Sequence, residues 1–300
     1  MEASIITSVI APLTIAFIMF GMGLSLTKHD FKRVWLHPKA ISIGIILQIV
    51  GLPILGFSFV SVLELEPILA VSVMLLSSCP GGAITNLVSF ISKGDAALSV
   101  SLTAVNSFIT VVTIPVLVTF FLGHFLGKET AAQVNILKLS LGIILITIPP
   151  IIFGMITKQK APELAKKSES WVRKGTIIFL VILASIASYG ERQMFLDNYQ
   201  KFALIAVSLC MLSGLMGTIV GSIARLPRKQ ILTLAIEVGL PNSGMGIVIA
   251  LSFLDIKALA VFSAFYLVVE YGLSGILMVT MNSRIGTKIM GQTSQVTHQL

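Results

Sequence analysis

Charge is what this chain has least of. Only 11% of its 300 residues are Asp, Glu, Lys or Arg, against about a quarter in soluble domains, and 55% are hydrophobic. That balance excludes an ordinary soluble fold. Cysteine is nearly missing as well. Cys79 and Cys210 both fall inside apolar stretches, where a thiol behaves as a small hydrophobe, so no disulfide framework is implied. The four histidines, His29, His37, His124 and His298, all fall in loops or the tail. With none inside an apolar stretch, an intramembrane enzyme has no base or metal ligand to work with. The first apolar stretch lacks a small-residue cleavage pattern and reads as a helix, not a removed signal.

What is present is apolar sequence of membrane-crossing length, repeated along the chain. Nine spans are predicted, at about 4–26, 38–62, 67–92, 95–123, 135–157, 172–190, 200–224, 229–253 and 257–282, with short connections. The charge-rich stretch Lys158–Lys174 reads as a loop riding the headgroups as a short amphipathic turn. Residues 284–300 read as a cytoplasmic tail. Of the 21 Lys and Arg, only Lys128, Lys138, Arg192, Lys201 and Lys257 fall on one side of this arrangement. The other sixteen share the opposite side, which the positive-inside rule makes cytoplasmic. The N-terminus is then outside and the C-terminus inside. The net charge of +8 reflects this bias and not a nucleic-acid surface.

Two spans are broken in the middle. The first break is Ser77-Ser78-Cys79-Pro80-Gly81-Gly82-Ala83-Ile84-Thr85-Asn86, and the second is Glu237-Val238-Gly239-Leu240-Pro241-Asn242-Ser243-Gly244. Non-helical backbone survives at membrane depth only inside protein or beside a wet cavity. Matched breaks in two halves mark a transporter's binding site. The second break lies in the fourth of the last five spans and the first in the third of the first four. A four-plus-five inverted repeat, with units at about 1–125 and 133–283, brings the two into register if the first unit lacks one opening helix. The whole chain is then a single transporter unit.

Glu237 is a carboxylate at membrane depth, which costs about 2.5–3.5 kcal/mol on insertion scales, and no span supplies a Lys, Arg or His to neutralise it. A mobile cation is the expected partner. Ser99 and Thr103 are four apart and share a helix face, and Thr85 and Asn86 follow the first break. Hydroxyl, amide and carboxylate oxygens suit a hard monovalent cation better than a transition metal. Asn106 is expected to bond a neighbouring helix, and Pro53, Pro115 and Pro149-Pro150 to kink theirs.

Ile18-Met19-Phe20-Gly21-Met22-Gly23-Leu24, Cys79-Pro80-Gly81-Gly82, Lys93-Gly94-Asp95-Ala96-Ala97-Leu98-Ser99-Val100 and the second break together resemble the bile acid:sodium symporter family, over about Ala11–Ser283. The resemblance implies an all-α fold of panel and core domains, with two discontinuous helices crossing in the core. It implies a first sodium site at Thr85, Asn86, Ser99, Thr103 and Glu237. A second would use Gln48, Glu237 and the carbonyls of Val238 and Leu240, but Pro241 stands where the family has Gln, so one sodium is predicted before two. On the substrate side Ala83 replaces a family Thr and Tyr271-Gly272 a His-Asn pair, while Asn242 is kept. Ala83, Asn242, Ser243, Glu270 and Tyr271 form the expected substrate set, with Glu270 outside the family pattern. The implied activity is sodium-coupled import of an organic anion, bile-acid-like or a smaller amphipathic carboxylate, at a bacterial plasma membrane. The expected partners are that anion, sodium and lipid. The alternative is a metalloid or other anion exporter of related fold using Cys79.

Overall fold

The computed structural model describes residues 9–27, 30 and 38–282. The start of the first expected span, the residues 284–300, and His29, His37 and His298 lie outside them. The described residues are helical apart from short connections and one isolated antiparallel bridge. Helix α1 is Ala11–Ser25, and α2 is Pro38–Val62. The first broken span becomes α3 (Pro67–Ser77) and α4 (Ala83–Ile91). Then follow α5 (Ala96–Phe125), the short α6 (Lys128–Gln133), α7 (Ile136–Lys160), α8 (Pro162–Gly190) and α9 (Arg192–Ile223). The second broken span becomes α10 (Arg228–Gly239) and α11 (Ser243–Phe253), and α12 is Ala258–Asn282. Among the described residues, α2, α5, α7, α8, α9 and α12 are the six helices long and apolar enough to cross a membrane.

Two connections differ from the sequence reading, and His124, expected in a loop, lies in the last turn of α5. The charged stretch 158–174 is not a turn: α7 runs to Lys160, a single residue, Ala161, intervenes, and α8 begins at Pro162. Proline at the first helical position has no N–H to lose and fixes φ for the helix, and Glu163 complements its N-terminal dipole. Charge did not prevent a helix here because Ala165 and Val172, seven apart, share a face buried against Leu24. Helix α9 likewise starts at Arg192, so Arg192 and Lys201 ride its first turns instead of a loop.

Helix α2 widens to a π turn at Leu47–Gly51, where the Leu52 N–H bonds the Leu47 carbonyl. Pro53 follows, and the shifted register takes up its missing donor. The turn also aims Gln48 into the interior, where it is buried. Four connections share a further device. Glu64, Lys93, Arg225 and Asp255 adopt left-handed φ of 45°, 63°, 53° and 54° just past the ends of α2, α4, α9 and α11. After Glu64 and Arg225 the chain reaches Pro67 and Pro227 within three residues, and after Lys93 and Asp255 two residues lead to Ala96 and Ala258.

Helices α1, α7 and α8 pack on one another. Glycines allow α1 and α7 to touch along their backbones: a Cβ on Gly154 would stand 2.7 Å from the Gly23 carbonyl carbon and strike the Phe20 carbonyl oxygen. Backbone cannot move aside as a side chain can, so Gly154→Ala is expected to destabilise by about 1–3 kcal/mol, the usual overpacking range. A lowered Tm of the purified protein, with ligand binding intact, is the readout.

Candidate functional site

The two breaks meet. Pro80 and the Gly81-Gly82 pair end α3, since proline cannot donate to a helix and glycine gives up the most backbone freedom there. Leu240-Pro241 does the same after α10. The two extended segments pair at Gly81 and Pro241, and the Asn242 N–H donates to the Pro80 carbonyl at 2.7 Å. Each half-helix then restarts: Asn242 caps α11 by accepting from the Met245 N–H at 3.0 Å.

Glu237, three residues before this crossing, is fully buried. Its Oε1 accepts from Thr85 Oγ1 at 2.6 Å and from Ser99 Oγ. Thr103 Oγ1 lies 3.3 Å from both carboxylate oxygens. Asn86 Oδ1 joins the group, 2.8 Å from Ser99 Oγ and 3.2 Å from Thr103 Oγ1. All five residues of the first expected site therefore converge on one point. Their hydrogens fall short, because each hydroxyl carries one. Three hydroxyl hydrogens and one Gln48 N–H face five acceptors: the two carboxylate oxygens, Asn86 Oδ1 and the carbonyls of Gly82 and Ser99. Oxygen lone pairs in excess of hydrogens, around an unpaired carboxylate, are what a cation satisfies. Among the described residues no group of three His, Cys, Asp or Glu could hold a metal ion.

Gln48 also reaches Glu237, but through nitrogen. Its Nε2 donates to the Glu237 carbonyl at 2.7 Å and to Oε2 at 3.3 Å, while its Oε1 accepts from Asn106 Nδ2. A 180° rotation of the amide would be needed to offer oxygen to an ion. The expected interhelical bond of Asn106 is thus present, and its partner is a site residue. The neighbouring Gly239 carbonyl accepts from Tyr266 at 3.0 Å. The Val238 and Leu240 side chains are buried beside the crossing.

One clamp escaped the sequence reading. Asp95 caps α5 by accepting from the Leu98 N–H at 3.0 Å, and its own N–H donates to Thr233 Oγ1 at 2.8 Å. Thr233 lies one turn before Glu237 on α10, so the clamp fixes the helix carrying the carboxylate against the helix carrying Ser99 and Thr103. A Cβ on Gly94 would stand 2.7 Å from Thr233 Oγ1. The Lys93-Gly94-Asp95 string was the available signal.

The substrate set divides into two groups. Ala83, Tyr271 and Asn86 line a cavity of about 280 Å³ between α1, α4 and α8, with Ile18, Met22 and Val172 opposite. Asn86 therefore belongs both to the oxygen cluster and to the cavity wall. Asn242, Ser243 and Glu270 do not line this cavity and are buried, with Ser243 Oγ donating to Glu270 Oε2. Cys79 is buried too, its thiol donating to the Leu75 carbonyl at 3.3 Å, and it does not line this cavity.

The known proteins this chain resembles are sodium-dependent transporters. The profile of the Sodium Bile acid symporter family matches residues 12–198. An uncharacterized sodium-dependent transporter of Bacillus subtilis, YocS, is 30% identical over 90% of this chain and 82% of its own length. The human ileal sodium/bile acid cotransporter is 25% identical over 83% of the chain and 71% of its own. A probable sodium/metabolite cotransporter of rice chloroplasts, BASS2, is 27% identical over 79% of the chain, which spans only 55% of that longer protein. The profile match over more than half the chain, together with the Bacillus relative, places this multi-pass membrane protein among sodium-dependent transporters, not enzymes: it belongs to the sodium bile acid symporter family.

Proposed function

We propose that this protein imports an organic anion with an apolar body, bile-acid-like or a smaller amphipathic carboxylate, together with sodium. The observation that carries the reading is the hydrogen deficit around Glu237. Sodium binds among Thr85, Asn86, Ser99, Thr103 and Glu237, neutralises the carboxylate and ties α4, α5 and α10 together. A second ion, at Gln48, Glu237 and the Val238 and Leu240 carbonyls, requires the Gln48 amide to rotate away from Asn106. The anion occupies the cavity beside Ala83 and Tyr271, with its charge toward the start of α4, where free N–H groups and the helix dipole favour it. Asn242 and Ser243 support that wall from behind. Asn86 couples the two ligands, since an ion that fixes its oxygen also fixes the wall of the cavity.

Nine spans in a four-plus-five inverted repeat form one transporter unit. The left-handed ends of α2 and α4, recurring at α9 and α11, support the equivalence of the two halves. A panel of α1, α7 and α8 rocks against the crossing helices, in a bacterial plasma membrane with the N-terminus outside and the C-terminus in the cytoplasm. Sodium drives the cycle only by binding the anion-competent state more tightly than the other, and each net charge moved gains about 2.3 kcal/mol per 100 mV.

Proteoliposomes decide this. Uptake of bile acids or smaller amphipathic acids is expected to rise at least tenfold with an inward sodium gradient over a potassium one. Equal uptake in the two salts would reject the coupling.

A further inference from the structure

Among the described residues two carboxylates are buried, Glu237 and Glu270, and the sodium cycle uses only the first. Their surroundings differ. Glu237 accepts from three hydroxyls and the Gln48 amide, whereas the hydrogen-bond partner of Glu270 is Ser243, through its hydroxyl. The charge of Glu270 is felt by Cys79 beyond α3, Cys210 on α9, and Tyr266 and Tyr271 on α12, and α9 also carries Arg192, Asp197, Tyr199 and Lys201 in its first three turns. Of the other elements packed on α12, α3, α4 and α11 carry no titratable residue. Helix α8 carries them only between Glu163 and Lys174 and at the exposed Tyr189.

Sodium does not suit this place. It seeks several hard oxygens, and here Tyr266 is bonded to the Gly239 carbonyl, Cys79 to the Leu75 carbonyl, and the remaining neighbours include sulfur. A proton needs only one partner. A serine hydroxyl both donates and accepts, so the Ser243–Glu270 bond persists with its direction reversed when the carboxyl is protonated. Tyr271, the next residue, lines the cavity. A charge on Glu270 is therefore felt there through a low-dielectric wall, where like charges repel far more strongly than in water.

We propose that Glu270 and Ser243 form a proton site that must be filled before an organic anion can occupy the neighbouring cavity, so that proton and anion bind together. This rests on the proposed reading of the cavity as the anion's site. By linkage the effect is reciprocal: the anion raises the proton's affinity by the factor by which the proton raises the anion's. Anion affinity is highest where Glu270 is protonated and falls as pH rises through its titration.

The test uses the full chain at saturating sodium with taurocholate and the more compact camphorsulfonate, whose sulfonate charge does not itself titrate over the range. Between pH 5.5 and 9 the Kd is expected to rise toward about tenfold per pH unit once Glu270 is ionised. Glu270→Gln is expected to hold the low-pH affinity throughout, with its sodium-dependent thermal shift unchanged. In weakly buffered wild-type protein, just above the titration midpoint, anion addition is expected to take up protons, which tests the proposal without any variant. A pH-independent Kd in the wild type, the same slope in Glu270→Gln, or no proton uptake would each overturn the proton site while sodium coupling stood. Failure of the wild type to bind either anion with sodium at any pH would overturn the cavity reading, and this proposal with it.

Discussion

Glu237→Gln is expected to abolish sodium-dependent stabilisation and, in potassium, to raise Tm above that of the wild type. The two effects have opposite signs and one cause. In the wild type without sodium the carboxylate is buried with no cationic side chain bonded to it, a state that costs several kcal/mol per ion in low-dielectric surroundings. Glutamine has the same shape and removes that charge. Its nitrogen also brings two hydrogens to a place where acceptor oxygens outnumber donors, so Asn86 Oδ1 or the Gly82 carbonyl gains a partner. The same change deprives sodium of its only anionic ligand among the described residues. At sodium one hundred times the wild-type Kd, linkage predicts loss of about 2.7 kcal/mol of ligand-dependent stability. Thermal unfolding across matched sodium and potassium series reads both effects. An unchanged sodium midpoint in the variant would remove Glu237 from the ion site.

The crossing was legible in the sequence because a membrane tolerates such breaks in few places. Pro80-Gly81-Gly82 and Leu240-Pro241-Asn242 cannot be helical in hydrocarbon, and a lone carboxylate beside one of them demands a counter-charge. Ser99 and Thr103 were readable because helical spacing alone puts them on one face. What escaped depended on contacts between distant segments. Nothing in the sequence says that Asn106 takes the Gln48 oxygen and turns its nitrogen to Glu237, since an amide presents either end. The Asp95–Thr233 clamp joins residues far apart in the chain, and each alone resembles a routine helix cap or a solvated threonine. Lys158–Lys174 misled for a different reason. Its charge density suggests a loop, yet Ala165 and Val172 keep a buried helical face beneath it, and facial pattern outweighs mean polarity in deciding whether a segment is helical.

Gly81→Ala is expected to weaken sodium binding by about 10–100-fold, the loss typical when the groups supporting a metal's ligands are disturbed, while Gly82→Ala next to it leaves sodium affinity nearly unchanged. The contrast follows from where a Cβ would go. On Gly81 it would stand 2.5 Å from Glu237 Oε2 and 3.2 Å from both Gln48 Nε2 and the Glu237 carbonyl oxygen. The carboxylate end could swing away alone, but its other oxygen is held by Thr85 and Ser99, and the carbonyl is backbone and cannot rotate. Relief comes either from turning the carboxylate out of its ring of oxygens or from parting the Gly81–Pro241 bridge, and both misplace the ion's ligands. On Gly82 the nearest atoms would be Asn242 Cγ and Cβ at 3.4 and 3.5 Å, close to ordinary contact, and Gly82 already has an extended backbone at φ −95° that alanine adopts freely. Sodium Kd from calorimetry on the two variants compares one methyl group at adjacent positions, so helix propensity and general crowding cancel. Equal affinities would mean that the ion does not sit where the two broken helices cross, whatever else binds there.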